Sequence, residues 1–486
     1  MRFCPFSLLG IIQLCGFANA SLDYEDYNGD YDYDDPSKGL FPTTFNLALN
    51  AGITVNATCG ETAPETYCKL VEHIYDREPQ CSVCDSSSPN KQHPISSAID
   101  GSNRWWQSPS LQNGKQYEWV TITLDLKQVF QVAYVIVKSG ISPRPGNWIL
   151  ERSLDGVFYR PWQYYAVSDD ECWEAYGVAP TPGKPAYKTD DQVICTSYYS
   201  SVTPLEDGEI HTSLINGRPG AVEFTEKLMD FTKARYIRLR LQRIRTLNAD
   251  LMTFQTNDPD KVDKSVTRRY FYTIRDISIG GQCVCSGHAK ECPAQRDGEL
   301  HCKCEHNTCG TTCERCCPLY NQQPWRMGTG EDAAECEACQ CFGHASSCIY
   351  DSAVAKRKAS LNAQGVYEGG GVCQNCTHHT SGINCERCED GYYRPQFVRP
   401  DNLEPCQKCS CLGPGATRRC VSDDTNINEG LFPGDCICHE GFAGPKCDRC
   451  AKGYRNYPRC ERCPCHYAGT EDGTQCDGRC ICKVGS

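Results

Sequence analysis

From Cys283 onward the cysteines repeat in one register, and this constrains the fold more than any other feature of the chain. Eight residues separate Cys304 from Cys313, Cys376 from Cys385 and Cys438 from Cys447. Two residues then separate Cys313 from Cys316, Cys385 from Cys388 and Cys447 from Cys450. The register restarts at Cys336-x2-Cys339, Cys406-x2-Cys409 and Cys460-x2-Cys463. A fixed period with variable filler marks a stacked array whose units touch only their neighbours. Such an array is a rod, and a rod positions what it carries.

The compartment decides what those cysteines do. Arg2, the apolar run from Phe6 to Phe17 and the small residues Ala18-Asn19-Ala20 form a secretory leader, with cleavage expected after Ala20. The run is too short to span a bilayer, and no later stretch is long and apolar enough. The sequence therefore predicts a secreted chain that does not cross a membrane. Outside the cell, Cys-x2-Cys pairs mean disulfides rather than zinc. Two glycosylation acceptors fit that compartment, Asn56-Ala-Thr58 and Asn375-Cys-Thr377. Of 39 cysteines, Cys4 and Cys15 leave with the leader, and the remaining number is odd. A fourth repeat opens with Cys463, Cys465, Cys476, Cys480 and Cys482 and then breaks off, so the encoded chain is expected to continue past Ser486.

A net charge of −12 argues against nucleic-acid binding. Part of it lies in residues 21–38, where seven acids and four tyrosines leave nothing to pack and predict a disordered arm. That arm reads either as a solubilising leader or as a sulfated tyrosine tract for a basic partner.

Residues 39–282 carry only Cys59, Cys68, Cys81, Cys84, Cys172 and Cys195, so they must build an apolar core. Trp119 to Leu126 alternates with Val120, Ile122 and Leu124 on one face. Val129 to Val137 is β-branched and predicts a strand buried on both faces. Trp148 to Ser153 runs into an Asp155-Gly156 turn. Tyr236 to Leu241 places Ile237, Leu239 and Leu241 inward and the arginines outward, and Tyr270 to Ile279 closes the unit. With no long helical period, this predicts a mainly β fold, an antiparallel jelly-roll sandwich. By elimination Cys172 pairs with Cys195, while the pairing among Cys59, Cys68, Cys81 and Cys84 stays open.

The Ser153-Leu-Asp155-Gly156 turn and the Arg-Tyr-Ile-Arg-Leu-Arg strand resemble a galactose-binding-like jelly roll. Longer stretches go beyond the fold. Gly39-Leu-Phe-Pro42, Tyr67-Cys-Lys-Leu-Val-Glu-His73, Trp105-Trp-Gln-Ser-Pro109, Ser142-Pro-Arg-Pro-Gly-Asn-Trp-Ile-Leu-Glu-Arg152 and Thr246-Leu-Asn-Ala-Asp250 resemble the laminin N-terminal domain. The repeats are similar to laminin-type EGF-like modules, and residues 39–486 as a whole resemble the short arm of a laminin alpha chain of the alpha-one/alpha-two type. The leader (1–20) and the acidic arm (21–38) fall outside it; the resemblance implies the N-terminal domain (39–282) and EGF-like modules at 283–338, 339–408, 409–462 and, broken off, 463–486.

The family pattern then implies Cys283–Cys292, Cys285–Cys302, Cys304–Cys313 and Cys316–Cys336 in the first module. It implies Cys339–Cys348, Cys341–Cys373, Cys376–Cys385 and Cys388–Cys406 in the second. The third takes Cys409–Cys420, Cys411–Cys436, Cys438–Cys447 and Cys450–Cys460, and the fourth Cys463–Cys476 and Cys465–Cys480. Removing Cys309 and Cys317 restores the register of the first module, so these two are expected to bridge each other. Gly287-His288-Ala289 and Gly343-His344-Ala345 recur at one place in two modules, which reads as a structural turn before a metal ligand.

No metalloprotease, nucleophile-elbow or phosphate-loop motif is present, and no enzyme is expected. The resemblance implies a structural matrix protein whose head polymerises with beta-type and gamma-type laminin chains in basement membranes. Heterotrimers would form through regions beyond these residues. A stretch like Pro204-Leu205-Glu206-Asp207-Gly208-Glu209 marks the joining patch in that family, with Asp207 where the pattern more often has Asn. Integrins, sulfated glycans or glycolipids are further implied ligands. For the glycans, Arg235, Arg238, Arg240, Arg243 and Arg245 are the basic cluster, unless local acids pair them. No cofactor is expected beyond a structural calcium ion at Asp100, Asn103 and a backbone oxygen near Ser278; the alternative there is an Asp-Gly turn. A netrin-like guidance cue and a glycan hydrolase or lectin are the other classes the sequence leaves open.

Overall fold

The computed structural model describes residues 37–70, 79–200, 208–246, 263–296, 298–424 and 430–464. In the head the strands are β1 (Phe45–Asn46), β2 (Gly52–Val55), β3 (Glu65–Cys68), β4 (Cys81–Cys84), β5 (Trp106–Gln107), β6 (Val120–Ser139), β7 (Trp148–Ser153), β8 (Arg160–Tyr165), β9 (Ile194–Thr196), β10 (Glu209–Ser213), β11 (Lys233–Leu241) and β12 (Thr273–Cys283). All but β3 and β4, which pair with each other, join one hydrogen-bonded network in the order β1-β12-β6-β11-β7-β8-β9, with β2 and β10 also on β6 and β5 on β12.

The two strands expected over 119–137 are one. The first half of β6 lies between β2 and β11 and the second half between β10 and β12, so a single chain serves both layers of the sandwich. The turn of the corner is at Lys127, where φ is 71° and the amide donates to Asp125 Oδ1 at 2.8 Å. The second half is also not buried on both faces. Val132, Val135 and Val137 point inward, whereas Val129 is exposed, because one side of this layer faces water. Pairing is antiparallel except between β8 and β9, which run parallel.

Ile122, Leu124, Ile237, Leu239, Ile277 and Ile279 fill the core as alternation requires. Each such side chain contributes about 1.5–3 kcal/mol on full burial. Trp148 stacks on Tyr165 with centroids 3.9 Å apart, and Trp162 satisfies its indole N–H on Phe231 O at 2.7 Å.

The two longest described helices of the head escape a β-only reading: α1 (Asp169–Tyr176) and α2 (Glu226–Thr232). Each starts with a hydroxyl cap, Ser168 Oγ accepting from Glu171 N and Thr225 Oγ1 from Leu228 N. Gly177, with φ 65°, ends the first.

The open pairing in the head resolves as Cys59–Cys84 and Cys68–Cys81, across the β3–β4 hairpin, and Cys172 joins Cys195. In the rod the bridges are Cys283–Cys292, Cys285–Cys302, Cys304–Cys313, Cys309–Cys317 and Cys316–Cys336 in the first module. The second and third follow the same scheme, from Cys339–Cys348 to Cys450–Cys460. The partners expected for Cys463 and Cys465 lie outside the described residues, as do the leader and residues 21–36.

The sulfur register extends to the backbone. Cys313, Cys385 and Cys447 all take left-handed φ near 55° (56°, 54° and 54°). Three residues before each, Gly310, Gly382 and Gly444 have φ of 108°, 101° and 97°, and an added Cβ would meet a carboxylate oxygen at 2.2, 2.5 and 2.4 Å. Only glycine suits that turn.

Head and rod are not joined by a linker. Strand β12 runs through Cys283, the first bridge residue of the first module. Cys283, Cys285, Cys302 and Cys313 pack in the same cluster as the head's aliphatic core. Gln128 exchanges two bonds with Leu300, donating to its oxygen at 3.2 Å and accepting from its nitrogen at 2.9 Å. The start of the head straps the module too: Gly39 N donates to Thr329 O at 2.6 Å and Leu40 N to Gly287 O at 2.8 Å.

Candidate functional site

Strand β10 pairs with β6 and, among the described strands, with nothing on its other side. Alternation sends Ile210 and Thr212 into the core and turns Glu209 and His211 outward. Of the expected joining patch, Pro204, Leu205, Glu206 and Asp207 lie outside the described residues. Gly208 is buried, its oxygen taking Ser139 N at 2.9 Å.

Glu209 is not a bare acid. Lys138 Nζ stands 3.0 Å from one carboxylate oxygen and His211 Nε2 2.7 Å from the other. The bond from Lys138 holds this carboxyl below the usual range against a smaller cost of partial burial, and the bond from His211 lowers it further by less than that cost. Tyr199 donates to His211 O at 3.2 Å, and Tyr198, 78% exposed, stands edge-on to Tyr199. The edge therefore offers an anion, two basic groups and an aromatic ring, a composition suited to a polar, specific protein contact. Lys138, His211 and Tyr198 were not among the sequence candidates. The outward phase of Glu209-Ile-His211 was the available signal for one of them; the other two come from distant elements.

The basic cluster is drawn into ion pairs. Arg235 meets Asp125 at 3.1 Å, Arg243 meets Glu171 at 2.7 Å, and Glu151 takes both Arg238 at 2.6 Å and Arg240 at 3.1 Å. Arg238 also lies over the Tyr159 ring, 3.6 Å from its centroid. Arg245 buries its Nε without a hydrogen-bond partner. Arg240 and Arg243 do line an open cleft of about 660 Å³ with Lys115, Trp119 and Tyr164, and Trp119 is 58% exposed there. Arg235 and Arg238 do not reach it.

Asp100 forms the turn its sequence allows, accepting from Ser102 N at 2.8 Å. Its second oxygen is met by Arg104 at 2.9 Å, so a cation there displaces a guanidinium. Asn103 is exposed, and Ser278 sits in β12 opposite Ile136 with its hydroxyl on Asp276 at 2.7 Å. Among the described residues the one close group of three or more His, Cys, Asp or Glu ligand atoms is Cys285, Cys292 and Cys302, and all three sulfurs are in bridges. No helix among the described residues is long and apolar enough to cross a membrane. Both glycosylation acceptors are exposed, and Asn56 also bonds Thr121 N at 2.9 Å through Oδ1.

Comparison with known proteins agrees with this layout. The family described as Laminin N-terminal (Domain VI) matches residues 40–281, and the Laminin EGF domain matches 283–336, 339–406 and 409–463. Human laminin subunit alpha-1 is 58% identical over 91% of this chain and 15% of its own length. Human laminin subunit alpha-3 is 46% identical over 92% of the chain and 14% of itself, and the Drosophila melanogaster laminin subunit alpha 42% over 90% and 12%. The chain thus spans about 15% or less of these relatives. Nothing in these matches favours the netrin-like alternative.

Proposed function

The chain belongs to the laminin family, and on that premise we propose that it is a structural protein of the extracellular matrix whose head joins the heads of other laminin chains in basement membranes. The supporting observation is the outer edge of β10, which no described strand pairs, with Glu209, His211 and Lys138 presented on a head welded to a stapled rod. The partners are beta-type and gamma-type laminin N-terminal domains. Weak contacts suffice, because each assembled molecule offers several at once. Secreted into the matrix, such a network supports cell adhesion, migration and tissue organisation. Matrix assembly asks no catalysis of the chain.

Sulfated glycans or glycolipids form a second contact at the Trp119 cleft, where Arg240 and Arg243 contribute charge. Integrins are a further class of partner. Calcium, if it acts at Asp100, does so by releasing Arg104. Sedimentation of the purified chain with beta and gamma tips, with and without calcium, tests the reading. Co-pelleting is expected, and its absence under both conditions rejects the polymerisation reading.

A further inference from the structure

Two imidazole pairs occupy equivalent places in the first and second modules. His288 and His344, three residues after the second cysteine of their modules, are buried. His288 Nδ1 lies 3.2 Å from His306 Nδ1, and His344 Nδ1 lies 3.0 Å from His378 Nδ1. The other nitrogen of each buried ring meets a backbone carbonyl, Arg326 O at 2.9 Å and Pro400 O at 2.7 Å.

These contacts fix the protons. A carbonyl only accepts, so Nε2 of the buried ring carries the hydrogen and its Nδ1 is bare. The hydrogen between the two rings therefore belongs to the outer one. A first added proton goes to the outer ring's far nitrogen and leaves the bond intact. A second has only the buried Nδ1 to occupy, and it sets two N–H groups against each other where a bond had been.

The pairs hold more than themselves. Arg326 and Pro400 lie in the last bridged loop of their modules, Cys316–Cys336 and Cys388–Cys406. In the first module that loop, through Thr329, and the His288 turn, through Gly287, are the two anchors of the Gly39–Leu40 strap from the head. The third module has Pro414 and Glu440 at the corresponding places and no such pair.

We propose that the two imidazole pairs are acid-operated latches: the second proton parts the rings and frees the last loop of the first and second modules, and in the first module frees the head's strap as well. The bridges keep the chain covalently intact, so what opens is local. Among the described residues the surrounding charges do not supply a counter-ion to the buried rings. Near His288 the cation Arg326 is spent on Asp332 at 3.0 Å and both are exposed, Glu305 next to His306 points to solvent, and Trp325 covers the ring. Around His344, Arg399 pairs with Asp401 at 2.9 Å and His379 with Glu389 at 3.2 Å. Burial pushes His288 down from its ordinary value, the bond to Arg326 O opposes that in part, and the repulsion of His306 adds a smaller push down. The stabilisation at His288 is therefore whole above the unfolded imidazole range and is lost as pH falls through the folded one.

Amide exchange by mass spectrometry, corrected for intrinsic rate, tests this on the whole chain. Between pH 7 and pH 5 the peptides around Leu40, Arg326 and Pro400 should open about tenfold faster, and third-module peptides should not change. His306→Gln donates to the bare His288 Nδ1 through its amide nitrogen and, turned over, accepts from the protonated one through its amide oxygen, so it should abolish the response around Leu40 and Arg326 and leave that around Pro400. His378→Gln should do the reverse, and disulfide mapping confirms that each variant is folded. A response that persists in both variants, or that appears equally in the third module, overturns the proposal.

Discussion

Glu151→Gln separates structural arginines from ligand-binding ones. Glu151 is buried on β7 and receives Arg238 at 2.6 Å and Arg240 at 3.1 Å. Glutamine keeps the volume and removes the charge, leaving two guanidiniums against a neutral amide. Losing one partner of a fully buried pair costs about 3–5 kcal/mol. Here the arginine side chains are 25% and 41% exposed and turn partly to water, so about 2 kcal/mol is the reasonable figure. For a head of this size that corresponds to a Tm lower by roughly 4–8 °C. Thermal unfolding followed by near-ultraviolet circular dichroism reads it directly. Because the carboxylate is buried, most of the loss should survive high salt, which screens exposed pairs far more. A variant as stable as the parent that instead retains sulfated glycan more strongly would refute the structural reading of Arg238 and Arg240.

Three other outcomes follow from the geometry. Gly310→Ala forces a side chain into φ 108° against the Glu314 carboxylate and should cost about 1–3 kcal/mol, seen as faster proteolysis confined to the first module. Replacing Cys309 and Cys317 together by serine removes a bridge across eight residues and should loosen that module by about 2–3 kcal/mol while head unfolding stays near its parent value. Glu209 should titrate below a free glutamate, so its pairing with Lys138 and His211 persists above the unfolded carboxylate range and fades as pH falls through the folded one. Carboxyl chemical shifts across an acid titration measure it, and an unshifted midpoint counts against the pairing.

What the sequence revealed depended on how local each cause is. Sulfur spacing and the alternation of Ile237, Leu239 and Leu241 are local, and they located the modules and the core strand. The cap Ser168-x-x-Glu171 is equally local, but it was not read as a helix start, and α1 was missed among the strands. The corner at Lys127 was not legible, because a strand that passes from one layer to the next keeps its β-branched composition throughout. Pairing of the arginines with acids was an open alternative, but the partners were not legible. Arg238 finds Glu151 from 87 residues away, and alternation says only that an arginine points outward. The same holds for the strap, where Gly39 and Leu40 meet the first module through backbone atoms that carry no side-chain signature.

The most direct measurement is co-sedimentation of the chain with beta and gamma tips before and after the double change Glu209→Gln with His211→Gln. Both side chains are partly exposed on an edge strand, so the sandwich should unfold at nearly the parent temperature. If β10 is the joining edge, pelleting falls by about tenfold, the loss of roughly 1.4 kcal/mol per contact. Undiminished pelleting by a folded double variant would contradict it.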